Sequence, residues 1–350
     1  MLSVDIRKKL GNFQLNVQFE TGDGVLALLG ASGCGKSMTL KCIAGIETPD
    51  EGHIELNGRV LFSSKARVDL PPQQRRVGYL FQSCALFPHM TVWHNVGAGV
   101  RITDRAEREN IIREKIQSFY LAGMEHKYPS QLSGGQQQRA ALARMLASEP
   151  EAILLDEPFS ALDSYLKWQL EQELFAAMEP FGGSAVFVSH NRDEVYRLCD
   201  RVCLIDNGKS EGVSDLRTIM EQPGTLSAAL LAGCKNFSRA QRLRDGLVFA
   251  QDWGAELDCS RNIPEDTAYI GVHAHRIALC AEGGPNAIRC RALRVTEDMY
   301  RAIVLLQPIS AGGGDFSRIR MELPKEKTAG LKKDDGLTIR MDAADILLLK

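Results

Sequence analysis

Over roughly the first two-thirds of the chain, short apolar runs alternate with charged stretches at helical spacing. That alternation predicts a parallel sheet flanked by helices. Residues 25–29 (VLALL) have the length and continuity of a buried strand. Residues 53–63 (HIELNGRVLFS) put Asn57-Gly58 between two alternating runs, which predicts a hairpin whose turn needs positive φ. RRVGYLFQ, ending at Gln82, then EAILLDEP, SAVFVSH and RVCLIDNGKS predict further strands, the last with a second Asn-Gly turn. Strand patterning vanishes between Thr91 and Gln131, where DRAERENIIREKIQSFYLAGM is charged and helical in period. A helical insert over about residues 91–135 is therefore expected between two strands of the core.

The character changes after GTLSAALLAGCKN. From Gly246 onward, short runs such as TAYIGVHAHRIAL, AIRCRALRVTED and LTIRMDAADILLL are separated by Gly, Pro and Asp, which predicts a small all-β domain. The expected division is 1–233 for the α/β domain and 234–350 for the β domain. His273 and His275 stand two apart in one of these runs, on one side of a strand with no third ligand evident, so packing or surface is the reading.

A length of 350 residues agrees with two domains. The net charge of −2 gives no support for a nucleic-acid-binding surface. No apolar run approaches the ~20 residues that span a bilayer, and MLSVDIRKKLGNF lacks the apolar core of a signal peptide. The nine cysteines are odd in number and form no CxxC pair, which points to reduced thiols in the cytosol.

Three stretches carry chemistry. Gly30-Ala31-Ser32-Gly33-Cys34-Gly35-Lys36-Ser37 matches GxxxxGK[ST] in full and is followed by Met38. Backbone N–H groups of such a loop point at phosphate oxygens, and its glycines permit close approach. Lys36 would neutralise the β- and γ-phosphates of a nucleotide and Ser37 would ligate Mg²⁺. Asp156 follows an apolar run, at a strand's C-terminal end, where it would hold Mg²⁺ through water. Glu157 would polarise the attacking water as general base. Leu132-Ser133-Gly134-Gly135-Gln136 opens a second helix with an anion-binding N-terminus. One nucleotide has one γ-phosphate, so a second such end makes sense if two copies face each other and each caps the other's nucleotide.

With LSGGQQQR between the loop and LLDEP, the chain resembles the ATP-binding cassette (ABC) family from Met1 to about Gly233. The resemblance implies a P-loop cassette with a mixed sheet and a helical subdomain. It implies that Gln82 is the glutamine that senses Mg²⁺ and meets a membrane partner. Asp163, in Ser160-Ala161-Leu162-Asp163, would lie at the dimer seam, and His190 would contact the γ-phosphate. Many members stack adenine on an aromatic residue of the first strand region; Phe13 is the nearest candidate and fits a core position equally. Phe87 and Trp93 would line the groove for a short helix of the membrane partner, with an internal core position as the alternative.

A cassette followed by a small β domain, of OB or TOBE type, resembles importer motors with an appended regulatory domain. The stretch LNGRVLFSSKARVDLPPQQRRVGYLFQSCALFPHMTVWHNV is most similar to molybdate and sulfate importer motors. The resemblance thus implies an ATPase that works as a homodimer with Mg²⁺ on separate permease subunits, indirectly served by a solute-binding protein. Its place would be the cytoplasmic face of the inner membrane. Molybdate is the leading solute, with sulfate, iron, a sugar or a polyamine as alternatives. A soluble, non-transport ABC ATPase is the reading from another class.

Overall fold

The computed structural model describes residues 1–350 except 23, 160–163, 179–180, 281–282, 312 and 329, and gives only the backbone of 164–166, 169 and 177. The chain divides into two compact units, Met1–Leu216 and Arg217–Lys350.

In the first unit the strands are β1 (Leu2–Leu10), β2 (Phe13–Glu20), β3 (Val25–Leu29), β4 (Glu51–Leu56), β5 (Arg59–Ser63), β6 (Val68–Asp69), β7 (Val77–Leu80), β8 (Ala152–Asp156), β9 (Ser184–Val188), β10 (Arg201–Asp206) and β11 (Lys209–Asp215). They form one mixed sheet in the order β6-β5-β4-β1-β2-β11-β10-β3-β9-β8-β7. β10, β3, β9, β8 and β7 run parallel. Every residue of β8 and β9 is buried, as a strand covered on both faces requires. β1, β2, β4, β5 and β6 pair antiparallel, and β1 and β2 alternate buried with exposed positions. The strands expected from the apolar runs begin at Val25, whereas the sheet begins at Leu2. The β1–β2 pair is half-solvated, so its signal is alternation among polar residues rather than a continuous run. The two Asn-Gly turns form as expected, with positive φ at Asn57, Gly58, Asn207 and Gly208.

The helices are α1 (Lys36–Ala44), α2 (Pro72–Arg75), α3 (Val92–Gly97), α4 (Arg105–Ser118), α5 (Gly134–Leu146), α6 (Ser164–Met178) and α7 (Arg192–Leu198). Residues 91–135 hold α3, α4 and the start of α5, between β7 and β8. Thr91 and Asp104 cap α3 and α4 by accepting from His94 N and Glu107 N. Arg75 is fully buried: it donates to the carbonyls of Cys42 and Ile43 at the end of α1 and pairs with Asp69 at 2.7 Å. A cation here complements the negative end of α1, whose other end forms the phosphate-type loop.

The second unit opens within α8 (Leu216–Glu221) and contains α9 (Leu226–Ala232) and strands β12 (Asn236–Arg244), β13 (Leu247–Ala250), β14 (Ala255–Asp258), β15 (Tyr269–Val272), β16 (Ile277–Cys280), β17 (Ala287–Glu297), β18 (Arg301–Pro308), β19 (Ile319–Pro324), β20 (Gly336–Met341) and β21 (Leu347–Leu349). Two five-stranded sheets, β14-β13-β12-β15-β21 and β16-β20-β17-β18-β19, enclose a core around fully buried Trp253. Buried Asn236 bridges them, donating to Val272 O and Arg320 O and accepting from Arg320 N. α9 packs here too: Leu226 and Ala229 meet Phe237, Leu347 and Leu349, and Leu226 N donates to Lys350 O. The structural division thus falls earlier in the chain than the expected 233/234. His273 and His275 are not on a strand; His273 precedes and His275 lies within a short helical turn (Ala274–Arg276) between β15 and β16, their rings 5.5 Å apart.

Candidate nucleotide site

Four neighbouring parallel strands, β3, β9, β8 and β7, end side by side, and each delivers chemistry at or just past its C-terminal end. β3 leads into Gly30–Ser37, β8 into Asp156 and Glu157, β9 into His190 and β7 into Gln82.

Steric demands explain the glycines of the loop. Gly35 has φ 108°, and a Cβ there would stand 2.4 Å from Leu15 Cδ1 and 3.4 Å from Phe13 Cζ. A Cβ on Gly30 would stand 2.2 Å from Ile205 O and 2.5 Å from Cys34 Sγ. Ala31, Ser32 and Gly33 form the exposed rim. Lys36 is buried, its ammonium donating to Gly30 O at 2.8 Å and Ala31 O at 2.9 Å, with Cys34 Sγ at 3.6 Å. Two carbonyls thus compensate a cation held inside the loop. Cys34 points inward, into the first unit's core, and Met38 packs against the same core. Phe13 is half-buried beside the loop, its ring lying along Gly35 and Gly208.

Ser37 Oγ, on the first turn of α1, donates to Asp156 Oδ1 at 2.9 Å. Tyr79, on β7, donates to the other oxygen, Oδ2, at 2.8 Å. Burial, and then the Asp156 carboxylate, push the Tyr79 hydroxyl well above the usual phenol range, so it stays a donor. Tyr79 was not among the expected site residues. A signal existed: a tyrosine in a buried parallel strand needs a partner for its hydroxyl. The hydroxyl of Ser37, the carboxylate of Asp156 and the amide of Gln82 are hard oxygen donors of the kind Mg²⁺ takes. Among the described residues no group of three or more His, Cys, Asp or Glu could hold a metal. A cation here would be shared with waters and a phosphate, which is how Mg²⁺ is commonly bound.

Glu157 takes two contacts. Gln82 Nε2 donates to its Oε2 at 3.3 Å, and His190 Nε2 lies 2.6 Å from its Oε1, a distance that needs a shared proton. Its backbone is left-handed, with φ 50°, and its N–H donates to Val188 O on β9. Such a conformation costs about 1–3 kcal/mol for a residue with a Cβ and is retained where surroundings over-determine it. His190 is framed by locked neighbours. Ser189 Oγ donates to the buried Glu194, which also pairs with Lys167, and Asn191 Oδ1 caps α7 at Asp193 N and Glu194 N.

Ser133 caps α5 in a reciprocal box. Its Oγ accepts from Gln136 N at 3.3 Å, and its N–H donates to Gln136 Oε1 at 3.0 Å. Leu132 and Gly135 are buried, while Ser133 and Gly134 are exposed. Among the described residues, no hydrogen bond or ion pair joins Leu132–Gln136 to the Gly30–Met38 loop. Asp163 lies outside the described residues. Arg144, near the end of α5, reaches the segment after Gln82: it donates to Cys84 O and Ala85 O and lies over the Phe87 ring at 5.2 Å. Cys84 and Ala85 are both left-handed, with φ 58° and 43°. Phe87 is exposed and Trp93 half-buried.

Residues 13–160 match the family model described as ABC transporter. The chain is similar to the solved dimeric ATP-binding cassette MJ0796 in a post-hydrolysis state bound to ADP and Pi. That similarity has a TM-score of 0.53 and 29% identity, covering 62% of this chain and 99% of that one. The first unit is an ABC-family ATP-binding cassette. Curated relatives include the molybdenum import ATP-binding protein ModC of Paramagnetospirillum magneticum, 39% identical over 64% of this chain and 62% of its own length. The Fe(3+) ions import ATP-binding protein FbpC of Haemophilus influenzae is 44% identical over 60% of each chain. The sulfate/thiosulfate import ATP-binding protein CysA of Bordetella bronchiseptica is 40% identical over 64% of this chain and 65% of its own. The match spans less than two-thirds of these relatives' length. No helix among the described residues is long and apolar enough to cross a membrane.

Proposed function

We propose that this chain is the ATP-hydrolysing motor subunit of an importer, acting with separate membrane permeases. The observation that carries the reading is Glu157, held between Gln82 and His190 beside the Ser37–Asp156 pair. Lys36 and the loop amides would bind and orient the phosphates of ATP. Glu157 would accept the proton of the attacking water, and His190 would hold that carboxylate in place and face the γ-phosphate. Ser37, Asp156 and Gln82 would hold Mg²⁺, which supplies charge neutralisation at the transferring phosphoryl group. Phe13 would face adenine.

Among the described residues no hydrogen bond or ion pair ties Leu132–Gln136 to this cluster, which supports a homodimer in which each copy's Ser133-Gly134-Gly135 end closes over the partner's nucleotide. Asp163 would sit at that seam. Exposed Phe87, five residues after Gln82, supports docking of a permease helix on the segment that Gln82 begins. The motor would then sit peripherally at the cytoplasmic face of the membrane, fed indirectly by a solute-binding protein. The solute is best taken as an oxyanion such as molybdate, because the import protein ModC is among the relatives; those for iron, sulfate and spermidine/putrescine define the alternatives. The all-β second unit would regulate the motor.

Two measurements test this. Purified protein should hydrolyse ATP in a Mg²⁺-dependent way, and Glu157→Gln should lower the rate by about 10²–10⁴-fold with nucleotide still bound. Affinity capture from detergent-solubilised membranes should recover a permease. Recovery of ribosomes or other soluble partners with no permease would overturn the transport reading.

A further inference from the structure

The two oxygens of Asp156 are not equivalent in this fold. Oδ1 accepts from Ser37 Oγ at 2.9 Å, and Oδ2 accepts from Tyr79 OH at 2.8 Å. Ser37 and Asp156 are the residues assigned above to Mg²⁺; Tyr79 has no assigned part. A carboxylate turns about a broad, two-fold torsion, so its direction is set by its partners. Of the two partners, Ser37 is the one that must release Oδ1 when its hydroxyl turns to a cation. Tyr79 has no such competing duty.

The tyrosine itself is well anchored. β7 pairs in parallel with β8, with Tyr79 opposite Leu154, two residues before Asp156. Its ring packs on the first unit's core and against Phe81, centroids 4.3 Å apart. Ring and carboxylate therefore belong to adjacent hydrogen-bonded strands, and the hydroxyl reaches Oδ2 without a flexible segment between them. Asp156 is buried, with 6% of its surface exposed, so bulk water is a poor substitute for the lost donor.

We propose that Tyr79 is a positioning residue for the metal ligand: it pins Oδ2 of Asp156, so that Oδ1 is the oxygen presented to Mg²⁺ or its bound water. The proposal rests on the nucleotide-site reading above. It assigns a job to a strand residue outside the motifs, and it makes the site's cation affinity depend on one phenol hydroxyl. Partners that orient a ligand in this way typically contribute about 10–100-fold to metal affinity.

The test is binding of a fluorescent, non-hydrolysable ATP analogue to the full chain, titrated with Mg²⁺, in wild type and Tyr79→Phe. The variant keeps the ring and loses only the hydroxyl; a thermal melt checks that it folds. The expected result is unchanged affinity for the analogue without Mg²⁺ and a half-saturating Mg²⁺ concentration raised about tenfold. Binding of Mn²⁺ with the analogue, followed by its electron paramagnetic resonance signal, should weaken in step. Coincident Mg²⁺ titrations would overturn the proposal. So would equal weakening with and without Mg²⁺, or a variant that does not fold, since either would make Tyr79 a packing residue. If wild type bound the analogue with no dependence on Mg²⁺, the site reading would fall and this proposal with it. If wild type showed the dependence and the variant matched it, only this proposal would fall.

Discussion

Gly35 and Glu157 both hold left-handed backbone, for opposite reasons. At Gly35 a side chain is excluded by Leu15 at 2.4 Å, so the residue type follows from crowding. Gly35→Ala should cost about 1–3 kcal/mol of stability and abolish nucleotide binding, checked by thermal melting and equilibrium binding. At Glu157 a side chain is required, and the backbone strain aims it between Gln82 and His190. Sequence placed both residues in a site; it could not show that one glutamate would be held by two expected partners. It also placed Cys34 in the phosphate-type loop. The structure turns that thiol into the core, beneath the loop. Iodoacetamide should therefore label Cys34 far more slowly in native than in urea-unfolded protein, as read by peptide mass spectrometry. Asp252 offers a pH test. Burial raises its pKa, but hydrogen bonds and charge from Arg239 outweigh this and hold the carboxyl below the usual aspartate range. A depressed folded pKa stabilises above the unfolded value, about 3.9, and that stability is lost as pH falls through the folded pKa. The gap in melting temperature between wild type and Asp252→Asn should thus be full at pH 7 and shrink below pH 4.

At the scale of elements, α5 is more than a carrier for Ser133. Its far end holds Arg144, which clamps the left-handed Cys84-Ala85 pair, while Asn95 of α3 accepts from Phe87 N and donates to the carbonyls of Phe87, Met90 and Thr91. The segment after Gln82 therefore depends on two helices that follow it in the chain. Arg144→Ala should destabilise by about 1–3 kcal/mol and speed amide hydrogen exchange at residues 83–90, with little change in β8 and β9. Uniform exchange would show that the clamp is not local. The apolar pattern made α5 and the LSGGQ cap legible, because a Ser-x-x-Gln box before a periodic run is a local signature. Arg144's role was not legible, since its partners are backbone carbonyls some sixty residues away in sequence.

For the whole molecule, the position of Leu132–Gln136 in one copy leads to a prediction about two. A mixture of Lys36→Ala and Ser133→Arg chains can form a dimer with one intact composite site, from the loop of the second chain and the LSGGQ of the first. Mixing should restore ATP-induced dimerisation, read by size-exclusion chromatography; no recovery would count against closure in trans. The unit boundary has its own test. Ending the first unit at 216 should give a more soluble fragment than ending it at 233, because α9 presents Leu226 and Ala229 to strands of the second unit.

Local chemistry was enough for much of this protein. A full phosphate-loop motif, two Asn-Gly turns, buried apolar strands and a capped LSGGQ helix each depend on residues close in sequence, whose φ, sterics and hydrogen bonds a short stretch dictates. The strand order did not follow from any stretch. Placing β3, β9, β8 and β7 side by side depends on crossover helices packing on both faces of the sheet, a choice made by contacts far apart in the chain. Only that order brings Glu157 to Gln82 and His190, and only the β7–β8 pairing lets Tyr79 hold one oxygen of Asp156.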